Sequence, residues 1–393
     1  MRSLSFVVVL IGLLAFIGFS GCGEDVTGPG EEGWQLEDEE SDSDTDGNGN
    51  GDGTPGDGDG TPGDGDGTPG DGDGTPGDGD GTPGDGDGTP GDGDGTPGDG
   101  DGTSSDPVYQ SEDSIFEVGS LSVNQLVVND GPYPMLVFLP PGANRYPVLV
   151  FHHGFVLANS YYTTLLERVA SHGFVVIAPQ LYEASFTGLP NTEEEANRAL
   201  AVYEWLATEG ENRLERDLDL SLLGLVGHSR GTKMMYRAVA KEDPGVLGLF
   251  GLDPVDGTGG PLGGDPSVMG ELSFSGPRFF LGAGLGPVPR NAFSPSCAPE
   301  ADGYAAFFAD AGTPTTLVVA TQFGHMDMLN DSTAGCGIIC TSCSDGPSRA
   351  PMRNYTAAAI VAFFQSVFFD SQAGMDRVTD VDEVSIEITV DAK

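Results

Sequence analysis

Residues Leu225-Val226-Gly227-His228-Ser229-Arg230-Gly231 carry the pattern GxSxG between an apolar run and a stretch of helical character. A serine on such a strand-to-helix turn sits in a strained backbone that leaves no room for side chains two positions either side, hence Gly227 and Gly231. The turn would present the Ser229 hydroxyl at a helix N-terminus, where the helix dipole favours developing negative charge. The bland alternative is a Gly-rich turn that happens to contain serine, and the flanking strand and helix argue against it. The chemistry implied is nucleophilic attack on an acyl carbon.

A serine hydroxyl is a poor nucleophile at neutral pH and needs a base. The chain has five histidines, His152, His153, His172, His228 and His325. On a strand-GxSxG-helix turn the chain order is serine, acid, histidine, and only His325 follows Ser229. It stands in Phe323-Gly324-His325-Met326-Asp327, just past an apolar run. The acid that orients it should leave a strand end between the two. Gly251-Leu252-Asp253-Pro254-Val255-Asp256-Gly257 offers two candidates. Asp253 comes directly off the run Leu247 to Leu252 and is favoured, whereas Asp256 suits a turn before glycine. An oxyanion would need two fixed N–H donors: the amide of Arg230, after the nucleophile, and that of Phe155 in His152-His153-Gly154-Phe155. His152 and His153 could touch substrate, although packing beside that loop is their expected role. Nothing in this set calls for a metal or a cofactor.

The elements that must hold these residues alternate. Val148 to Phe151, Phe174 to Ala178, Leu222 to Val226 and Leu247 to Leu252 are short continuous apolar runs, as strands buried on both faces require, and Arg278 to Leu281 and Thr316 to Ala320 give two more. Between them, Tyr161 to Ser171 and Gly231 to Ala240 have helical spacing. Asn191 precedes a helix from Thr192 to about Thr208 with acids in its first turn. Asn354 to Phe368 reads as a closing amphipathic helix, and Ser114 to Val128 with Met135 to Leu139 as an antiparallel hairpin leading in. The pattern specifies an α/β fold, a mostly parallel sheet flanked by helices, with its ligand site at the carboxyl ends of the strands. The tail, residues 371–393, alternates apolar and polar residues from Val384 to Ile388, which fits an added edge strand or a loose end.

Residues 1–22 combine Arg2, an apolar run from Phe6 to Phe19, and Ser20-Gly21-Cys22. They read as an export signal too short for a comfortable membrane span, and their end resembles a bacterial lipobox, in which Cys22 is lipidated. Acyl chains there would hold the mature chain on a membrane, periplasmic or cell-surface, without spanning it. Residues 23–107 carry 27 of the chain's 61 acids and no Lys or Arg, with seven copies of Thr-Pro-Gly-Asp-Gly-Asp-Gly from Thr54 to Gly102. Gly freedom, Pro and Asp repulsion make this a disordered, solvated tether. Calcium binding by Asp-x-Asp-Gly lacks the usual bidentate Glu and scaffold, so loose counterion condensation is the expectation.

Residues 108–370 make one domain with ample core. The net charge of -45 comes largely from the tether, but acids still outnumber bases in the domain, against a nucleic-acid partner. Cys297, Cys336, Cys340 and Cys343 fit two disulfides with three possible pairings better than a zinc site, for which no histidine lies at ligand spacing.

Several motifs, in order along the chain, resemble the chlorophyllase family. They are Ala170-Ser171-His172-Gly173-Phe174, Ala178-Pro179-Gln180-Leu181-Tyr182, Gly227-His228-Ser229-Arg230-Gly231, Leu252-Asp253-Pro254-Val255, Gly282-Ala283-Gly284-Leu285-Gly286-Pro287, Cys297-Ala298-Pro299 and Gly324-His325-Met326-Asp327-Met328-Leu329. The resemblance covers nearly all of Val108 to Phe369 and none of the tether. It implies the α/β hydrolase fold, a cofactor-free carboxylic ester hydrolase, and a triad of Ser229, Asp253 and His325. Thr232 stands where plant members typically have a second glycine. The expected substrate is a small hydrophobic ester. A surface lipase or cutinase-like polyester hydrolase would use the same triad, and a catalytically idle hydrolase domain displayed for binding is the reading from another class.

Overall fold

The computed structural model describes residues 115–393, apart from 143, 184–189, 258–264 and 335. The stretches expected to be an export signal and a tether, Cys22 among them, lie outside the described residues. The nine strands described form one sheet: β1 Asn124–Val128, β2 Met135–Leu139, β3 Tyr146–His152, β4 Val175–Pro179, β5 Leu218–His228, β6 Gly248–Leu252, β7 Arg278–Ala283, β8 Thr315–Ala320 and β9 Ile388–Ala392. Their order is β1-β2-β4-β3-β5-β6-β7-β8-β9. The six strands from β4 to β8 in that order run parallel, whereas β1, β2 and β9 are antiparallel to their neighbours. This is the α/β hydrolase fold. Strands β2 to β4, β6 and β7 are buried along their whole length, which is why they read as apolar runs without alternation.

Helices cover both faces. On one lie α1 Thr163–Ala170 and α5 Arg349–Phe369; on the other, α2 Thr192–Trp205, α3 Arg230–Lys241 and α4 Tyr304–Asp310. Helix α2 starts where its sequence places it. The Asn191 side chain accepts from the Glu194 amide at 2.9 Å, and the Glu194 carboxylate takes the Asn191 N–H in return. The helix continues beyond Trp205 as a π turn, Leu206–Gly210, and a short turn, Glu211–Leu214.

Helix α5 departs from the amphipathic expectation. It is buried almost all round, from Met352 through Gln365 with only Asn354 exposed in that span, because the sheet lies on one side while α1 and α6, Ala373–Thr379, cover others. A helix apolar on all sides is a core helix. Phe364 fits against β5 because residue 224 is glycine, whose absent Cβ would lie 2.1 Å from the ring. Phe363 packs on Phe250 and Phe279, themselves stacked at 4.9 Å. Each buried Phe contributes about 1.5–3 kcal/mol.

Two other elements differ from expectation. The leading strand begins at Asn124, not near Ser114, because the preceding chain is tied to the end of α1: Gly119 N–H donates to Ser171 Oγ and Leu121 N–H to Ser171 O. The tail does supply an edge strand, but over Ile388–Ala392, four residues beyond where alternation starts.

The four domain cysteines pair as Cys297–Cys343 and Cys336–Cys340, so none is left as a thiolate. The first bridge closes a separation of 46 residues and the second only 4. By the entropy of the denatured loops, removing the first should cost roughly 4 kcal/mol and the second roughly 2. Urea unfolding of the two double Cys→Ser variants measures both, and equal or reversed losses would contradict this placement.

Candidate active site

Ser229 is the single residue between the end of β5 and the first turn of α3, with φ 56° and ψ -124°. Such backbone costs on the order of 1–3 kcal/mol in a non-glycine residue. It is held by its surroundings: Ser229 N–H donates to Leu252 O at 3.0 Å, and its carbonyl accepts from the amides of Thr232 and Val255. The glycines at either side are obligatory on steric grounds. A Cβ at Gly227 would lie 2.5 Å from Thr232 N, and one at Gly231 2.3 Å from His152 O. The Thr232 hydroxyl finds a use here, donating to Gly227 O at 2.6 Å.

Asp253 follows β6 in the same way, with φ 37°. Its amide donates to Leu281 O at 2.7 Å, and its Oδ1 accepts the Ala283 amide at 2.9 Å, so the neighbouring strand β7 orients the carboxylate. Its Oδ2 lies 2.6 Å from His325 Nδ1, and His325 Nε2 lies 2.9 Å from Ser229 Oγ. The three side chains, expected from chain order to meet, do so in one line from carboxylate to hydroxyl. Since carboxylate Oδ2 only accepts, Nδ1 carries the proton and Nε2 presents a lone pair to the serine hydroxyl. All three are buried.

The loop bearing His325 is pinned by Asp327, whose Oδ2 accepts the amides of Gly324 at 2.7 Å and Gly346 at 2.6 Å. Burial pushes the Asp327 carboxyl above its ordinary range. On the opposite side, the loop after β3 brings Gly154 next to the nucleophile, where a Cβ would lie 3.3 Å from that of Ser229. The Gly154 and Val156 amides are committed to the hydroxyls of Tyr162 and Tyr182. Phe155 between them exposes its ring, over which the Arg230 guanidinium stands at 5.9 Å.

Asp256 is not a turn residue facing solvent. It is buried, accepts from Ser267 Oγ and Val268 N, and lies 3.5 Å from the buried Lys233 ammonium. Arg230 pairs with both Glu195 oxygens at 2.9 Å and with Asp265. Cations from the first turn of α3 thus gather acids from distant parts of the chain, Glu195, Asp256 and Asp265. Nothing in the spacing of Arg230 and Lys233 identifies those acids in advance, because the pairing depends on which loops cover the helix.

His152 and His153 have the packing roles expected. Tyr203 OH meets His152 Nε2 at 2.7 Å, and His153 Nδ1 meets Gly154 O at 2.9 Å. Burial lowers their pKa values to about 3 and about 4, and pushes His228 well below its ordinary value. A groove of about 580 Å³ between α2 and the start of β5 includes Asn197, Tyr203 and Glu242 but none of Ser229, Asp253 and His325. Among the described residues no group of three or more His, Cys, Asp and Glu is placed to hold a metal ion, and no helix is long and apolar enough to cross a membrane.

The chlorophyllase family model matches residues 111–391, most of the chain and all of the sheet but its last residue. The chain belongs to the chlorophyllase family. It is 34% identical to chlorophyllase-2 of Arabidopsis thaliana over 274 residues, 65% of this chain and 85% of that protein. It is 35% identical to the chloroplastic chlorophyllase-1 of Citrus sinensis over 247 residues, 61% of this chain and 73% of the relative. A shorter similarity, 29% over 118 residues, links it to cutinase est1 of Thermobifida alba, covering 30% of this chain and 38% of the cutinase. Family and relatives together make the chain an ester hydrolase.

The buried neutral imidazoles of His152, His153 and His228 have a consequence for stability. In the unfolded chain each takes up a proton below pH about 6.5, whereas in the folded chain His152, His153 and His228 do not until far lower pH. At these three rings the unfolded state then binds more protons, and their loss of stability as pH falls from about 6.5 toward 4 outweighs the opposing gain at Glu195, whose carboxyl is raised to about 7 by burial. Urea midpoints at pH 7 and pH 5 measure this, and a midpoint at pH 5 equal to or above that at pH 7 would contradict it.

Proposed function

We propose that Ser229, His325 and Asp253 are the nucleophile, base and orienting acid of a serine ester hydrolase acting through an acyl-enzyme. The observation that supports this most is the unbroken contact from Asp253 Oδ2 through His325 to Ser229 Oγ, at 2.6 and 2.9 Å. As Ser229 Oγ bonds to the ester carbonyl carbon, its proton passes to His325 Nε2. The carbonyl oxygen becomes an oxyanion, held by the amides of Phe155 and Arg230, the latter at the first residue of α3 where the helix dipole adds to the hydrogen bond. The imidazolium then protonates the departing alkoxide and the alcohol leaves. Water, deprotonated by the same Nε2, attacks the acyl-enzyme and releases the acid while the proton returns to Ser229. Asp253 keeps Nδ1 protonated so that Nε2 is the basic nitrogen throughout.

The substrate proposed is a hydrophobic ester. Relatives named chlorophyllase across most of the domain favour a chlorophyll-like ester of a long alcohol. The cutinase similarity favours a second reading, a polyester or lipid ester hydrolase. Rates on chlorophyll, on short and long p-nitrophenyl esters and on a polyester film separate the two.

With p-nitrophenyl butyrate, Ser229→Ala should lower kcat by at least about 10³-fold. Asp253→Asn should lower it by about 10⁴-fold, and Asp256→Asn by less than about tenfold, provided that it folds. Retained turnover in Ser229→Ala, or equal losses in folded Asp253→Asn and Asp256→Asn, would contradict the assignment.

We propose further that residues 1–22 are an export signal ending in a lipidated Cys22, which would hold the enzyme on a periplasmic or cell-surface membrane face at the end of the acidic segment. Cys22→Ser should move the protein from the membrane to the soluble fraction of cells that express it, and unchanged fractionation would contradict the anchor.

A further inference from the structure

His228 and Tyr162 take no part in the proton transfers above, yet they stand between the two halves of the site. Tyr162, at the end of the turn Asn159–Tyr162, accepts the Gly154 amide at 3.1 Å and lies 2.7 Å from His228 Nδ1. His228 Nε2 lies 3.0 Å from the carbonyl oxygen of His325. The direction of every bond in this chain follows from one fact: a carbonyl oxygen only accepts. Nε2 must therefore carry the proton and donate it to His325 O, which leaves Nδ1 of a neutral ring with a lone pair. Nδ1 accepts from the Tyr162 hydroxyl, and a lone pair of that hydroxyl takes the Gly154 N–H. Both side chains are fully enclosed, with 0% of either exposed, so no water competes for these groups. The His228 ring also packs on the His325 ring, centroids 4.7 Å apart.

The two ends of this chain are the backbone one residue before Phe155 and the backbone of the base itself. We infer that His228 and Tyr162 are positioning residues for the hydrolysis. Their relay from Gly154 N–H to His325 C=O sets the separation between the oxyanion-binding loop and the imidazole that serves Ser229. The inference rests on the triad reading above. A neutral His228 is part of the device, because a cation in contact with the His325 ring would oppose the imidazolium that forms there, and burial away from water keeps the ring uncharged.

The transition state, in which oxyanion and imidazolium coexist, needs both ends in register, whereas ground-state binding does not. Loss of the relay should therefore fall on kcat rather than on KM, a split that a purely structural role would not give. The experiment uses the full chain, with p-nitrophenyl butyrate as substrate and urea unfolding measured beside it. Tyr162→Phe keeps the ring that packs on Phe151 and removes only the hydroxyl. It should lower kcat at least about tenfold, as small misplacements do, with KM changed less than about twofold. His228→Gln, which can still donate to His325 O, should retain more activity than His228→Leu. The losses in a Tyr162→Phe, His228→Gln double variant should fall short of the product of the single losses, as for residues acting in one chain. A smaller kcat loss in Tyr162→Phe, a loss carried by KM, or multiplicative losses would overturn the relay. If the His228 variants fail to fold, Tyr162→Phe decides alone. Ser229→Ala in the same assay separates the two readings. Activity there takes down the triad and the relay together, whereas an inactive Ser229→Ala with an unimpaired Tyr162→Phe takes down the relay only.

Discussion

Two residues in left-handed backbone, Ser229 and Asp253, hold the site together. Each stands where a parallel strand stops, and each is kept in that conformation by a hydrogen bond to the next strand: Ser229 N to Leu252 O, and Asp253 N to Leu281 O. The order β5-β6-β7-β8 therefore does more than make a sheet. It places Ser229, Asp253 and the His325 loop at the carboxyl ends of β5, β6 and β8, so that side chains 72 and 96 positions apart in sequence meet within 3 Å. Strain of a few kcal/mol at the two turns is held by the buried strands around them.

Around that line the chain fixes backbone rather than adding reactive groups. Asp327 gathers two amides of the histidine loop. Cys297–Cys343 ties the segment after β7 to the segment after β8, and Arg290 reinforces it through Cys343 O and Asp345. Arg230 stands at both halves of the oxyanion site, since its own amide is one proposed donor and its guanidinium covers the ring of the residue that supplies the other. Glu195 and Asp265 hold that guanidinium, so the start of α2 and the chain at Asp265 are bound to the same residue. Buried pairs of this kind add little net stability, because desolvation offsets much of the attraction. Their effect is to fix geometry.

Much of this was legible in the residues because it depends on local rules and chain order. Strands buried on both faces must be apolar runs, a GxSxG turn must follow a strand, and only one histidine lies downstream of Ser229. Those constraints lead to His325 and favour Asp253 over Asp256 with no knowledge of packing. What remained hidden depends on which segments meet. Sequence alone allows three disulfide pairings, and which one forms depends on how the loops after β7 and β8 meet. Asp256 looks like a turn residue because nothing in its neighbourhood reveals Lys233 beneath it. His228 reads as a spacer in GxSxG, since its partners Tyr162 and His325 O come from either side of it in the chain. The burial of α5 on all sides depends on α6 and the tail, which lie outside the apolar spacing of the helix itself.

The central claim, that an ester passes through a covalent bond to Ser229, is tested most directly by acid-quenching the protein during steady-state turnover of a slow p-nitrophenyl ester and mapping the added acyl mass by peptide mass spectrometry. An acyl group on the peptide containing Ser229, absent once substrate is exhausted, is the expected result. Turnover with no acyl group on any residue, or with the group stably on another side chain, would contradict it.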